Sequence, residues 1–446
     1  MKNLILSIFT LVSMSIISQT NPAITSWLQN TSATGSYYMA GNPVTISNNI
    51  LVNCQAVQYS NSWVYVSTKG IPSYPTGPFL DGNPSSATSQ NAIFKLSLNP
   101  VQNTGNPTNT SAGNIGIFIN GVALFDYRDG ISWKNSTNSL AGGPLGGMGD
   151  GVWNRDAILA ERAGFDCSKG HPAMGNYHHH QNPSAFDLDL TVISNICDIY
   201  AADGLYAINA SQHSPLIGYA YDGFPIYGAY GYANTDGTGG ITRIKSSYQL
   251  RNITTRTTYS NGQTVTAGPP ISATYPLGYF REDYEFIANA GQDYVDVHNG
   301  RICVTPEYPN GIYCYFATVD ANWNSAYPYV VGPTFYGTKT GAKVTNITES
   351  VSTYTSTAEL SENKNIEVKI FPNPSNDVLM VQLSDLTKEN ITIKLVDLSG
   401  KIIATKIIYQ GSTIAYFDIS TLYSGNYLLK VGEGEKQQTM SVTILD

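Results

Sequence analysis

The chain has 446 residues, more than one hydrophobic core usually organises, so two or three domains are expected. Only 13% of residues are charged, and the 31 Tyr outnumber the 24 Lys plus Arg, which favours strands and polar turns over amphipathic helices. The formal net charge of -8 and the lack of clustered Lys and Arg exclude a protein that tracks nucleic-acid phosphates.

Residues 1–18 read as a signal peptide: Met1-Lys2-Asn3 supplies a positive start, and Leu4 to Ile17 is an apolar run too short to span a bilayer. No later apolar run approaches membrane-spanning length, so no transmembrane segment is expected and the mature protein is exported. Export favours disulfides over thiolate-metal sites for the five cysteines. Cys54 is expected to be a small buried apolar side chain. Strand-like runs follow at Ser62–Ser67, Ala92–Leu96 and Ile115–Ile119, separated by Gly, Asn and Pro clusters. One helix is predicted over 156–163, with Asn154 as its cap and Gly164 as its stop.

That helix delivers the chain to the most distinctive stretch, where His171, His178, His179 and His180 place four of the six histidines within ten positions. In extended backbone alternate side chains share a face, so His178 and His180 project together while Tyr177 and His179 look the other way. Two imidazoles then aim at one point, and His171 and His213 are candidates to join them as metal ligands. An all-imidazole donor set suits zinc or copper rather than calcium or magnesium, which prefer oxygen. The competing interpretation is a polar core in which imidazoles bond to Tyr hydroxyls and backbone carbonyls. Cys167 and Cys197 bracket the cluster, and a bridge between them would restrict the loop that carries it.

Farther along, Gly218–Tyr221 reads as a strand and Asp222 as a turn residue bonded to its own backbone, or as a carboxylate that orients one imidazole. Tyr219, Tyr221, Phe224, Tyr227 and Tyr230 either pack in a β core or line a groove for a glycan or protein ligand. His298 reads as an ordinary turn residue. Cys303 and Cys314 flank a hairpin; a two-residue turn at Asn310-Gly311 would set Cys303 opposite Thr318, so pairing them needs a longer loop around Tyr308 and Pro309. No Ser/His/Asp order, paired-carboxylate spacing or phosphate loop is legible, so no catalytic set is assigned. From 341 to 364 the chain is rich in Thr, Ser, Glu and Lys and reads as a linker. Beyond it, short β-patterned runs at Ile366–Ile370, Val378–Leu383, Ile391–Val396 and Tyr427–Val431 predict a small sandwich.

The predicted architecture is therefore mostly β: a large irregular β domain with a short helix over 19–340, the linker, and a small Ig-like β-sandwich over 365–446. Two function classes fit it. One is a secreted metalloprotein in which imidazoles hold an ion with an open position for water or substrate. The other is a cell-surface module that binds glycan or protein and keeps its histidines internal.

Two stretches resemble known families. Phe371-Pro372-Asn373-Pro374, Val396-Asp397-Leu398-Ser399-Gly400-Lys401 and Leu422-Tyr423-Ser424-Gly425-Asn426-Tyr427 resemble, in order, the signatures of the type IX secretion system C-terminal sorting domain. That resemblance implies recognition by the type IX secretion machinery, and a secreted or outer-surface-attached product. Gly170-His171-Pro172, Gly175-Asn176-Tyr177-His178-His179-His180 and His213 through Gly228 resemble the YHYH-domain family, with matching residues from Val57 to Gly332. His179 stands where the naming motif has its second Tyr, so any role of that hydroxyl is lost here. The resemblance names a domain without naming a reaction.

Overall fold

The computed structural model describes residues 20–42, 44–79, 86–184, 204–206, 208–355, 367–384, 390–398, 400–409, 412–432 and 437–445. The expected signal peptide and Cys197 lie outside the described residues. The fold is mostly β, with several sheets and, among the described residues, only single-turn helices. Among the described residues no helix is long and apolar enough to cross a membrane.

The centre of the larger part is an eight-stranded mixed sheet. Its spatial order is Gly170–Ala173, Asn176–His179, Ala123–Phe125, Asn114–Phe118, Leu216–Ala220, Pro225–Tyr227, Ile312–Phe316 and Gly300–Cys303. Its inner strands, such as Leu216–Ala220, are buried at every position, which explains their near-continuous apolar runs. A five-stranded sheet packs into the same core, and its Ala92–Ser97 strand alternates buried and half-buried positions as a one-sided strand should.

That second sheet corrects the linker prediction. Ala342–Val344 pairs antiparallel with Ala92–Ser97, and Ser352–Tyr354 pairs with Cys54–Tyr59, so residues 342–354 supply both outer strands. Short edge strands in a polar stretch carry the composition of a linker because one side faces water and burial is slight. The remainder of the predicted linker, from 356, lies outside the described residues.

The predicted helix is present but shorter, spanning Ala157–Glu161 before the turn tightens over Arg162–Gly164. Asp156 rather than Asn154 is its cap: the Asp156 carboxylate accepts from the Ile158 amide at 2.8 Å, while Asn154 belongs to the strand Asn154–Asp156. Near the C-terminus, Val368–Phe371, Val378–Leu383 and Ile414–Asp418 form one sheet. Ile402–Ile408, Ile391–Val396, Gly425–Val431 and Gln438–Ile444 form another, and a separate apolar core lies between the two.

Candidate metal centre

The histidine site begins with a tight turn. Met174 and Gly175 have φ of 48° and 82°, the left-handed pair that a two-residue hairpin loop requires, and Ala173 therefore faces Asn176. The register that follows puts His171 directly opposite His178. His180 lies two residues beyond His178 and returns to the same face. Three residues distant by up to nine positions thus reach one point for purely local reasons.

Their ring nitrogens converge. His178 Nε2 lies 3.0 Å from His180 Nε2, and His171 Nε2 lies 3.4 Å from His180 Nε2. One ligand atom from each ring falls within 4.8 Å of the others, so the three could hold a metal ion. Phe125 stacks on His178 with centroids 3.9 Å apart, and Phe165 meets His171 edge-on at 4.9 Å, fixing both rings between apolar walls.

Hydrogen bonds fix the tautomers of two rings. His178 Nδ1 lies 2.8 Å from the Asn176 carbonyl, and His180 Nδ1 lies 2.6 Å from the Asp126 carbonyl. A carbonyl oxygen can only accept, so both Nδ1 atoms donate, and in a neutral ring each Nε2 presents a lone pair. Two buried lone pairs then face each other at 3.0 Å. They repel unless a proton or a cation sits between them. Burial, and then the neighbouring His171 and His180, hold the His178 pKa well below the usual histidine range, which keeps that ring neutral.

Glu161, at the end of the short helix, supplies an acidic group facing these nitrogens that sequence reading missed. Its Oε2 lies 3.3 Å from His171 Nε2 and 3.5 Å from His180 Nε2. Burial disfavours charge on His180, but the hydrogen bond and charge of Glu161 outweigh it and raise the His180 pKa. Burial likewise opposes the Glu161 carboxylate, and the His180 contact lowers its pKa nonetheless. Arg155 Nη2 lies 3.7 Å from Glu161 Oε1 and also pairs with Asp129. The helix predicted before the histidines was the available signal, since its last turn is adjacent in space to the residues it leads into.

Other candidates do not join the site. His213 is separated from it: its ring packs against Tyr227 and Tyr232, and its Nδ1 bonds to the Ser214 carbonyl at 2.7 Å. The strand carrying Tyr227 is four places along the sheet from that carrying His178, roughly 19 Å at the usual strand spacing. Asp222 does not orient an imidazole; it accepts from Tyr315 Oη at 2.6 Å and from the Gly337 and Phe224 amides. Backbone carbonyls do the orienting instead. His179 faces the opposite side of the sheet, 2.9 Å from Tyr74 Oη, as strand alternation requires. His298 Nδ1 bonds to Thr334 Oγ1. Tyr219, Tyr221, Phe224, Tyr227 and Tyr230 are all buried, so they pack the core and form no exposed groove for a glycan or protein ligand.

Cys303 and Cys314 are free thiols on neighbouring strands. The loop between those strands runs over 304–311, longer than two residues, and pairs Cys303 with Ile312 while Cys314 faces Arg301. The diagonal offset leaves the two sulfurs hydrogen-bonded rather than bridged, which corrects the disulfide expectation for this pair. Cys54 is buried and free, as expected of a small apolar side chain.

The sequence model of the family described as YHYH protein matches residues 93–329, and that of the secretion system C-terminal sorting domain matches residues 369–445. A comparison with curated proteins finds no match. The first match contains the hairpin and all its histidines, and the second contains all but the first residue of the seven-stranded C-terminal unit. The chain therefore belongs to the YHYH protein family and ends in a type IX C-terminal sorting domain, which marks it as secreted or attached to the outer surface.

Proposed function

We propose that this secreted protein binds a transition metal, zinc or copper, through His171, His178 and His180. The observation that carries the reading is the pair of opposed Nε2 lone pairs 3.0 Å apart, with both Nδ1 atoms committed to carbonyls. A shared cation turns that repulsion into coordination. Ligands bound to a tetrahedral zinc at 2.0–2.1 Å are separated by about 3.3–3.4 Å, and two of the three nitrogen separations, 3.0 and 3.4 Å, bracket this spacing. The carbonyl partners at Nδ1 resemble the outer hydrogen bonds that orient ligating histidines. An all-imidazole set argues against calcium and magnesium. A bridge between Cys167 and Cys197, bracketing the site, belongs to the same reading.

The second reading is a metal-free polar core in which protonated His180 pairs with Glu161, favoured by the raised His180 pKa. Elemental analysis of purified protein after extensive dialysis separates the two. About one equivalent of zinc or copper, lost in the His178→Ala plus His180→Ala variant, supports the metal reading. A metal-free protein that takes up neither ion on titration overturns it.

A further inference from the structure

We propose that Glu161 is the fourth ligand, closing the coordination sphere that the three histidines open; this rests on the metal reading above. The Glu161 Oε2 separations from His171 Nε2 and His180 Nε2, 3.3 and 3.5 Å, fall near the same edge length as the histidine separations. For an oxygen bound at 2.0–2.2 Å and a nitrogen at 2.0–2.1 Å, the edge of a tetrahedron is about 3.3–3.5 Å. Glu161 is also the group on the solvent side: its side chain is 20% exposed, whereas those of His171 and His180 are 9% and 3% exposed. It therefore stands where a water would otherwise enter.

The carboxylate is held for single-oxygen ligation. Arg155 approaches Oε1, whereas Oε2 is the oxygen beside His171 and His180, and Arg155 is itself anchored by Asp129. Asp156 fixes the start of the helix by capping Ile158 and accepting from Tyr329 Oη at 2.7 Å. The Ala157 amide donates to the Tyr127 carbonyl at 2.7 Å, next to the Asp126 carbonyl that orients His180. Helix and hairpin are thus tied to the same short stretch, 126–127. A four-ligand site of this kind is closed, as structural metal sites are, and the ion would clamp the helix to the hairpin rather than present a free position to substrate.

Cobalt(II) titration of the full mature chain tests this, with visible absorption as the readout and azide as the probe of an open position. The expected result is a strong four-coordinate spectrum that azide leaves unchanged. Glu161→Ala should bind cobalt at least about tenfold more weakly, with a weaker spectrum that azide shifts. Glu161→Gln, which keeps the side-chain volume, should likewise lose the wild-type spectrum if Ala substitution impairs folding. If azide shifts the wild-type spectrum, or if both variants reproduce it unchanged, the Glu161 assignment falls and the three-histidine site stands. If the wild-type chain binds no cobalt, the metal reading itself fails.

Discussion

Replacing Gly170 by Ala tests whether the packing beneath the hairpin sets the site. A Cβ at position 170 would lie 2.4 Å from Tyr177 Oη, 2.5 Å from its Cζ and 2.9 Å from His179 Cε1. Carbon contacts settle at about 3.5–4.0 Å, so the phenol would have to retreat by more than about 1 Å. It has little room to do so: Tyr177 is fully buried, and its hydroxyl donates to Asp166 Oδ2 at 2.8 Å. Asp166 is pinned in turn by the amides of Gly77, Ser168 and Gly170. Overpacking costs about 1–3 kcal/mol. Losing the Tyr177 donor from a buried carboxyl costs about 1–3 kcal/mol more. We expect Gly170→Ala to destabilise the chain by about 2–6 kcal/mol in total. Gly105→Ala, whose added methyl would meet only Asn103 Oδ1 at 3.4 Å, should change stability by less than about 0.5 kcal/mol. Urea unfolding followed by tryptophan fluorescence is the assay. All five Trp, at positions 27, 63, 133, 153 and 323, precede the sorting domain, so the signal reports on the larger part alone. A loss below about 1 kcal/mol for Gly170→Ala, or equal losses for the two variants, would refute the reasoning.

Asp222 makes stability depend on pH. Burial raises its pKa from 3.8 to about 6, against the opposing pull of its bonds from Tyr315 and Gly337. A raised folded-state pKa stabilises the fold fully below pH 3.8 and loses that contribution as pH climbs through 6, about 3 kcal/mol in all. Asp222→Asn should flatten the slope of unfolding free energy between pH 4 and 6; an unchanged slope would show that the carboxyl titrates normally. Thiol counting on unreduced, denatured protein should find three reactive cysteines, Cys54, Cys303 and Cys314, if Cys167 and Cys197 are bridged. A count of five would remove that bridge, and a count of one would show that Cys303 and Cys314 oxidise together.

Strand alternation made the shared face of His178 and His180 legible, because period two needs nothing beyond the local chain. His171 was named only as a nearby candidate ligand; the Met174-Gly175 turn and the register that set it opposite His178 were not read from the sequence. Glu161 and the Asp126 carbonyl were not legible. The first left only the indirect signal of the helix that leads into the histidines, and the second is a backbone oxygen 54 residues earlier that leaves no local pattern. The assignment of His213 failed because residue type stood in for position; a sheet separates ligands by whole strands. The terminal sandwich was readable from four short β-patterned runs, such as Val378–Leu383, which alternates half-buried and buried positions, whereas residues 342–354 looked like a linker because edge strands need little apolar surface.

Those late edge strands carry a consequence for biogenesis. A nascent chain that has reached residue 340 holds the three strands of Cys54–Ser97 with both rims of the sheet bare, and the pieces that cover them lie some 250 positions downstream of the nearest partner. Long-range pairing of this kind is slow, and uncovered rims invite contact with other chains. Within the larger part, a polypeptide cut short just before that point would be missing few buried atoms yet be disproportionately prone to self-association.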